Sequence, residues 1–123
     1  MSSVRLFPRG QWVQLGIADR RTHALIGDVG ICVAADGEKA EIGFTMDSTA
    51  QGMGLGSEAV RAAISLIFQS TPVAQIIAVT DARNLPSIRL LERVGMRRIE
   101  TVAATFRGEP CVEYVYAISK EDG

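Results

Sequence analysis

The residues best suited to chemistry lie in the segment Gln51-Gly52-Met53-Gly54-Leu55-Gly56-Ser57. Glycine at alternate positions lets the main chain approach a ligand with no Cβ in the way. Directly afterwards Leu55, Ala59, Ala62, Ala63, Leu66 and Ile67 recur at helical spacing, and Val60 and Ile64 widen the stripe. This predicts a helix over 55–69 that opens from the glycine-rich loop, with Ser57, Glu58, Arg61, Ser65 and Gln69 as its polar face. A helix N-terminus has unpaired N–H groups and carries roughly half a positive charge, so it attracts an anion. The segment holds no Lys or Arg. Anion binding there would rest on main-chain N–H groups, which suits a pyrophosphate lying across the turn.

Three readings of this loop compete. It could be a glycine-rich turn with no ligand. It could be a dinucleotide site, since Gly54-Leu55-Gly56-Ser57-Glu58-Ala59 fits G-x-G-x-x-A. That fingerprint requires a parallel strand before the loop and further βα units after it. The third reading is a coenzyme A site. A P-loop is excluded because no Gly-Lys-Ser/Thr occurs.

The elements that would position the loop can be read from periodicity. Residues 12–18 alternate, with Val13, Leu15 and Ile17 on one face, which predicts a strand. Residues 25–34 form a second strand, Asp36-Gly37 marks a hairpin, and 40–47 form a third with Ile42, Phe44 and Met46 on one face. The first half is therefore an antiparallel meander, which conflicts with a dinucleotide unit. After the helix, 76–79 is a short apolar run, as in a strand buried on both faces. The intervening helix makes this strand parallel to the third, by a right-handed crossover. Asn84 as N-cap, Pro86 in the first turn and Gly95 as C-cap bound a second helix whose buried side carries Ile88, Leu91 and Val94. Two strands follow, 97–106 and 111–119, joined by Arg107-Gly108-Glu109-Pro110. The predicted fold is one mixed α/β sheet (an α+β mixed sheet) in the order β-β-β-α-β-α-β-β, spanning residues 1–123 as a single domain with 1–10 as a tail or edge segment.

Composition agrees with this reading. A chain of 123 residues with 47% hydrophobic and 22% charged residues can bury a core. A net charge of −1 from 13 basic and 14 acidic residues offers no footprint for nucleic acid or an anionic membrane. No apolar run approaches the roughly 18 residues a spanning helix needs. Met1 to Arg5 leads into no signal-peptide pattern. Cys32 and Cys111 lie far apart in apolar runs and read as reduced core thiols of a cytoplasmic protein. His23, the one histidine, falls in a polar turn. Cys111 would be a nucleophile only with a base beside it. Tyr114 and Tyr116 read as buried or half-buried strand residues.

Two motifs together carry a family resemblance. Gln51-x-x-Gly54-x-Gly56 resembles the Q/R-x-x-G-x-G/A signature of the GNAT N-acetyltransferases. Asn84-x-x-Ser87-x-x-Leu90, followed by Val94-Gly95-Met96, is similar to their second conserved segment. Ala40-Glu41-Ile42-Gly43-Phe44 resembles the strand before the loop in the RimJ/RimL-type branch. The resemblance runs from about Trp12 to Ile118.

The resemblance implies acetyl-coenzyme A as acyl donor, with no metal, and an amine acceptor, either a small molecule or a peptide. Gln51, Gly52, Met53, Gly54, Leu55, Gly56 and Ser57 would cradle the pyrophosphate. The backbone of Phe44, Thr45 and Met46 would pair with the pantetheine amides, and a backbone N–H near Thr45 or Met46 would polarise the thioester carbonyl. Asn84 and Ser87 would face the pantetheine arm, Asn84 capping its helix as well. Glu41 is the candidate base, acting through water. Many family members place a proton-donating tyrosine seven residues after the motif Asn; Leu91 stands there in this chain, and Ser87 is the candidate substitute. The resemblance also implies an N-terminal strand and helices before the meander. Only Met1 to Gln11 precede the first strand here, and Pro8 and Gly10 oppose a helix. The acceptor half is thus expected to be reduced, in an open minimal enzyme, a homodimer whose partner supplies the wall, or a fragment that binds coenzyme A without turnover.

Overall fold

The computed structural model describes residues 7–19, 21–46 and 54–121. Gln51, Gly52 and Met53 lie outside the described residues. Strands β1 (Trp12–Ala18), β2 (Leu25–Val33) and β3 (Lys39–Met46) form an antiparallel meander. Its second turn works as the sequence predicts. Gly37 takes φ 74, and Asp36 Oδ1 accepts the Glu38 N–H at 2.9 Å. Helix α1 (Leu55–Ser70) carries the chain to β4 (Gln75–Asp81), which runs parallel to β3. Helix α2 (Leu85–Arg93) leads to the hairpin of β5 (Arg97–Phe106) and β6 (Glu109–Ser119). Strand β6 inserts beside β4, giving the sheet order β1-β2-β3-β4-β6-β5.

The pleat sorts the sheet into two unlike faces. Ile31, Ile42, Ile76, Tyr116 and Ile118 meet Val60, Ile64 and Ile67 of α1 and Leu91 of α2 in one buried cluster. The two described helices therefore share that face. Glu41, Gly43 and Thr45 of β3 alternate onto the other face, as do Ile77 and Val79 of β4, and Val79 is exposed.

Several local expectations need correction. In α1, Ser57 was assigned to the polar face but is 3% exposed, while Ala62 faces solvent. The buried stripe runs Gly56, Ser57, Val60, Ala63, Ile64, Ile67 and Phe68, because α2 packs over the first turn. Cys32 and Cys111 are free but only half-buried, so they are not core thiols. The link between β5 and β6 is two residues long. Arg107 and Gly108 both take positive φ, 53 and 81, as a type I′ hairpin requires, and Glu109 and Pro110 join the strand. Pro110 lies beyond Glu113, the last residue paired with β4, where a missing N–H is tolerated.

Leu91 is fully buried. Leu91→Ala is expected to cost about 2–5 kcal/mol, read as a lower denaturant midpoint at unchanged m-value. A loss under about 1 kcal/mol would contradict its place in the core.

Candidate functional site

The site begins where two strands part. Strands β3 and β4 pair only from Lys39, Ala40 and Glu41 to Gln75, Ile76 and Ile77, although β3 continues to Met46. Ala34 N–H donates to the Lys39 carbonyl at 2.9 Å, which fixes the alternation of the β2–β3 ladder. Main-chain groups of Glu41, Gly43 and Thr45 then point to β2, and those of Ile42 and Phe44 point to the β4 side. At Phe44 the β4 ladder has already ended. Those groups must find another partner, since buried main-chain polar groups are rarely left unpaired.

A groove of about 370 Å³ opens beside this edge. Phe44 and Met46 form its strand wall. Gly54, Gly56 and Ser57 bring in the start of α1, and Asn84, Ser87 and Leu90 bring in α2. Gly54 is the N-cap of α1 at φ 78, and no side chain caps that helix. A Cβ on Gly54 would meet no protein atom within 4 Å, so the space above it is open to a ligand. Gly56 sits closely against its neighbours. A Cβ there would stand 2.8 Å from Leu90 Cδ1 and 3.4 Å from Met46 Cγ. The two helices are clasped reciprocally: Arg61 Nη2 donates to the Arg93 carbonyl at 2.9 Å, and Arg93 Nη1 donates to Ser57 Oγ at 3.3 Å. At the start of α2, Asn84 Oδ1 accepts the Ser87 N–H at 3.2 Å.

Of the residues singled out from sequence, Phe44, Met46, Gly54, Gly56, Ser57, Asn84 and Ser87 line this one groove. Leu55 packs against the core instead. Thr45 turns to the opposite face, where its hydroxyl donates to Asp28 Oδ1 at 2.7 Å. Glu41 also lies on that opposite face, half-buried. Its carboxyl is pushed above the usual range, first by burial and then by the charge of Glu113. At the end of β4, Arg83 holds the Asp81 carboxyl at about 2, through hydrogen bonds and a 2.9 Å ion pair. Leu91 does not face the groove at all; Leu90 does.

Sequence reading missed Pro86, Arg89, Leu90 and Arg93, which complete the α2 wall. For Leu90 the signal was available, since it lies three residues beyond Ser87 on the same helix face; Arg93 follows three residues after Leu90. Other candidates stand apart from the groove. His23 sits in the exposed β1–β2 turn at φ 61. Cys111 lines a separate depression with Arg83 and Arg107. Tyr116 is buried and donates to Glu92 Oε2 at 3.0 Å; burial and then Glu92 raise its pKa. The Arg98 guanidinium lies 4.3 Å over the ring of Tyr114. Among the described residues no group of three His, Cys, Asp or Glu could hold a metal ion, and no helix is long and apolar enough to cross a membrane.

Comparison with known proteins bears on this geometry. The model of the acetyltransferase (GNAT) domain family matches residues 4–97. The uncharacterized N-acetyltransferase YnaD of Bacillus subtilis (strain 168) is 33% identical over 84 residues, covering 67% of this chain and 49% of that protein. The chain spans about half the length of the curated relatives it matches. An acetyltransferase (GNAT family) from Bacillus anthracis superimposes with a TM-score of 0.82 at 27% identity, covering 88% of this chain and 66% of that one. The ribosomal-protein-S5-alanine acetyltransferase from Vibrio fischeri superimposes with a TM-score of 0.76 at 21% identity, over 85% of this chain and 60% of that one. This last likeness is one of fold alone.

The Glu41 environment can be tested by following its carboxyl carbon by NMR across a pH titration. Glu41 is expected to titrate above an ordinary glutamate. Glu113→Gln should move it partway down, leaving the part due to burial. Because the folded carboxyl holds its proton to higher pH than the unfolded one, this group favours folding below the unfolded value, and that contribution is lost as pH rises through the folded value. A Glu41 titration unmoved by Glu113→Gln would contradict the shared field on this face.

Proposed function

The chain belongs to the acetyltransferase (GNAT) family, and on that premise we propose that it moves an acetyl group from acetyl-coenzyme A to a primary amine. One observation carries the reading: β3 leaves β4 after three residue pairs, directly beside the uncapped start of α1. Such a strand edge can receive the amides of a pantetheine arm as an added half-strand. The N–H groups at Gly54, Leu55, Gly56 and Ser57 then meet the pyrophosphate. Gln51, Gly52 and Met53 would continue that cradle. The open space above Gly54 fits a ligand that approaches the main chain closely.

Acetyl-coenzyme A supplies a thioester whose carbonyl carbon a neutral amine attacks, with departure of the thiolate. The protein's part is positioning, a proton acceptor and an oxyanion donor. The ladder alternation favours main-chain groups of Phe44 or Met46 over Thr45 for contact with the donor. Glu41 takes the ammonium proton through water, its raised pKa bringing it nearer the working pH of a base. From the groove wall the Ser87 hydroxyl hydrogen-bonds the leaving thiolate and relays a proton to it, taking one from water in return. Donor and acceptor would approach from opposite faces and meet where the strands part. The Ala40 to Phe44 resemblance supports a RimJ/RimL-type acceptor, a protein N-terminal amine or a small amine. The open sheet face supports a homodimer in which a second copy completes the acceptor wall. We place the protein in the cytoplasm, where Cys32 and Cys111 stay reduced.

A second reading, an acyl-coenzyme A-binding domain without turnover, is favoured by the groove's composition. Among its described lining residues there is no Tyr, His, Cys or Lys. Incubating the protein with acetyl-coenzyme A and a panel of amines, with free thiol as readout, separates the two. Thiol release dependent on an amine is the expected result; tight binding without release supports the second reading. Gly54→Val is expected to weaken coenzyme A binding by roughly tenfold or more, because a β-branched residue is strained at positive φ and its methyls fill the ligand's space. Unchanged affinity in a folded variant would count against the loop assignment.

A further inference from the structure

We propose that Arg89 and Arg93 of α2 bind the 3′-phosphate of coenzyme A and make the groove select it over its dephosphorylated form. The inference rests on the coenzyme A reading above and adds a charge-reading wall to it. Charge balance is the first argument. The start of α1 offers main-chain N–H groups and roughly half a positive charge, enough to orient a pyrophosphate. A phosphate monoester brings about −1.5 to −2 more at pH 7. Arg89 and Arg93 are the cations among the described residues lining the groove. No described carboxylate forms an ion pair with either.

Placement is the second argument. Helix α2 enters the groove at Asn84, and Arg93 lies nine residues on, about 13 Å along the axis. There its guanidinium reaches Ser57 in the first turn of α1. Arg93 therefore stands at the α1 end of the groove, with Arg89 one turn back along the same wall. They are spaced i, i+4, so they share one helix face.

Chemistry is the third argument. A guanidinium presents a planar fork that matches phosphate oxygens in pairs. Arg93 commits only Nη1 to Ser57 and has further donors left. Its position is held by the clasp that Arg61 makes with its carbonyl. Arg89 is exposed and can turn its fork onto a phosphate.

The test measures affinity for coenzyme A and for dephospho-coenzyme A, which differ only in the 3′-phosphate, by titration calorimetry. Wild type should prefer coenzyme A by roughly tenfold or more, as expected for charge-assisted hydrogen bonds. The preference should shrink with added salt. Arg89→Gln and Arg93→Gln should each compress it towards one, and Arg93→Lys should restore part of it. Equal wild-type affinities, or an Arg89→Gln variant that keeps the full preference, would overturn the inference and leave the coenzyme A reading standing. An equal loss for both ligands would assign the arginines to the pyrophosphate and likewise overturn it. Failure of wild type to bind either ligand would remove both the reading and the inference. Thermal melting checks folding, and if Arg93→Gln proves unstable, Arg89→Gln decides alone.

Discussion

Strands β3 and β4 run parallel, share three residue pairs and then part, and the rest of the architecture follows from where that pairing stops. A parallel pair cannot be joined by a tight turn, so the chain must cross over, and here it does so through α1. The crossover begins beside the strand end that has lost its neighbour. The edge of β3 beyond its pairing with β4 and the start of α1, which no side chain caps, are thereby brought into one groove. Each on its own is common. Their adjacency is what the proposed coenzyme A reading rests on.

The same parting explains the division of labour between the faces. The helix face is mostly apolar, burying Ile31, Ile42 and Ile76, with Thr80 and the Tyr116 hydroxyl as its polar exceptions. Glu41, Asp81 and Glu113 therefore gather on the other face, where alternation puts them. Helix α2 is the hinge between these demands. Leu91 points into the core, while Ser87, Leu90 and Arg93 point into the groove, and the clasp through Ser57 and Arg61 holds α2 against α1. Gly56 permits that close approach.

Most of the fold was legible because its signals are local. Alternation in β1, the Asp36-Gly37 turn and the caps at Asn84 and Gly95 each act within a few residues, and the order of eight elements follows from them. Errors came where a distant element overrides a local rule. Ser57 looked like a surface residue of α1 and is buried because Arg93, far along the chain, covers it. The stretch from Arg107 to Pro110 read as a loop because Pro usually ends strands, yet the Arg107-Gly108 turn allows pairing to resume at once.

The site was legible in outline for the same reason. Gly54, Gly56, Asn84 and Ser87 were found by their motifs, and they meet in one groove. Arg89 and Arg93 belong to no motif, and the loop's own lack of cations says nothing of the charge that α2 brings to the groove from another element. Leu91 stands seven residues after Asn84, on the side of α2 that the sequence predicts as buried, and it packs into the core while Leu90 lines the groove.

The most direct measurement is a backbone amide NMR titration of the whole chain with acetyl-coenzyme A. The account predicts that the largest shift changes fall on Phe44, on Gly54 to Ser57 and on Asn84 to Ser87, with little change along β5. Saturable changes centred instead on the Arg83 and Cys111 depression, or none along β3 and the start of α1, would contradict it.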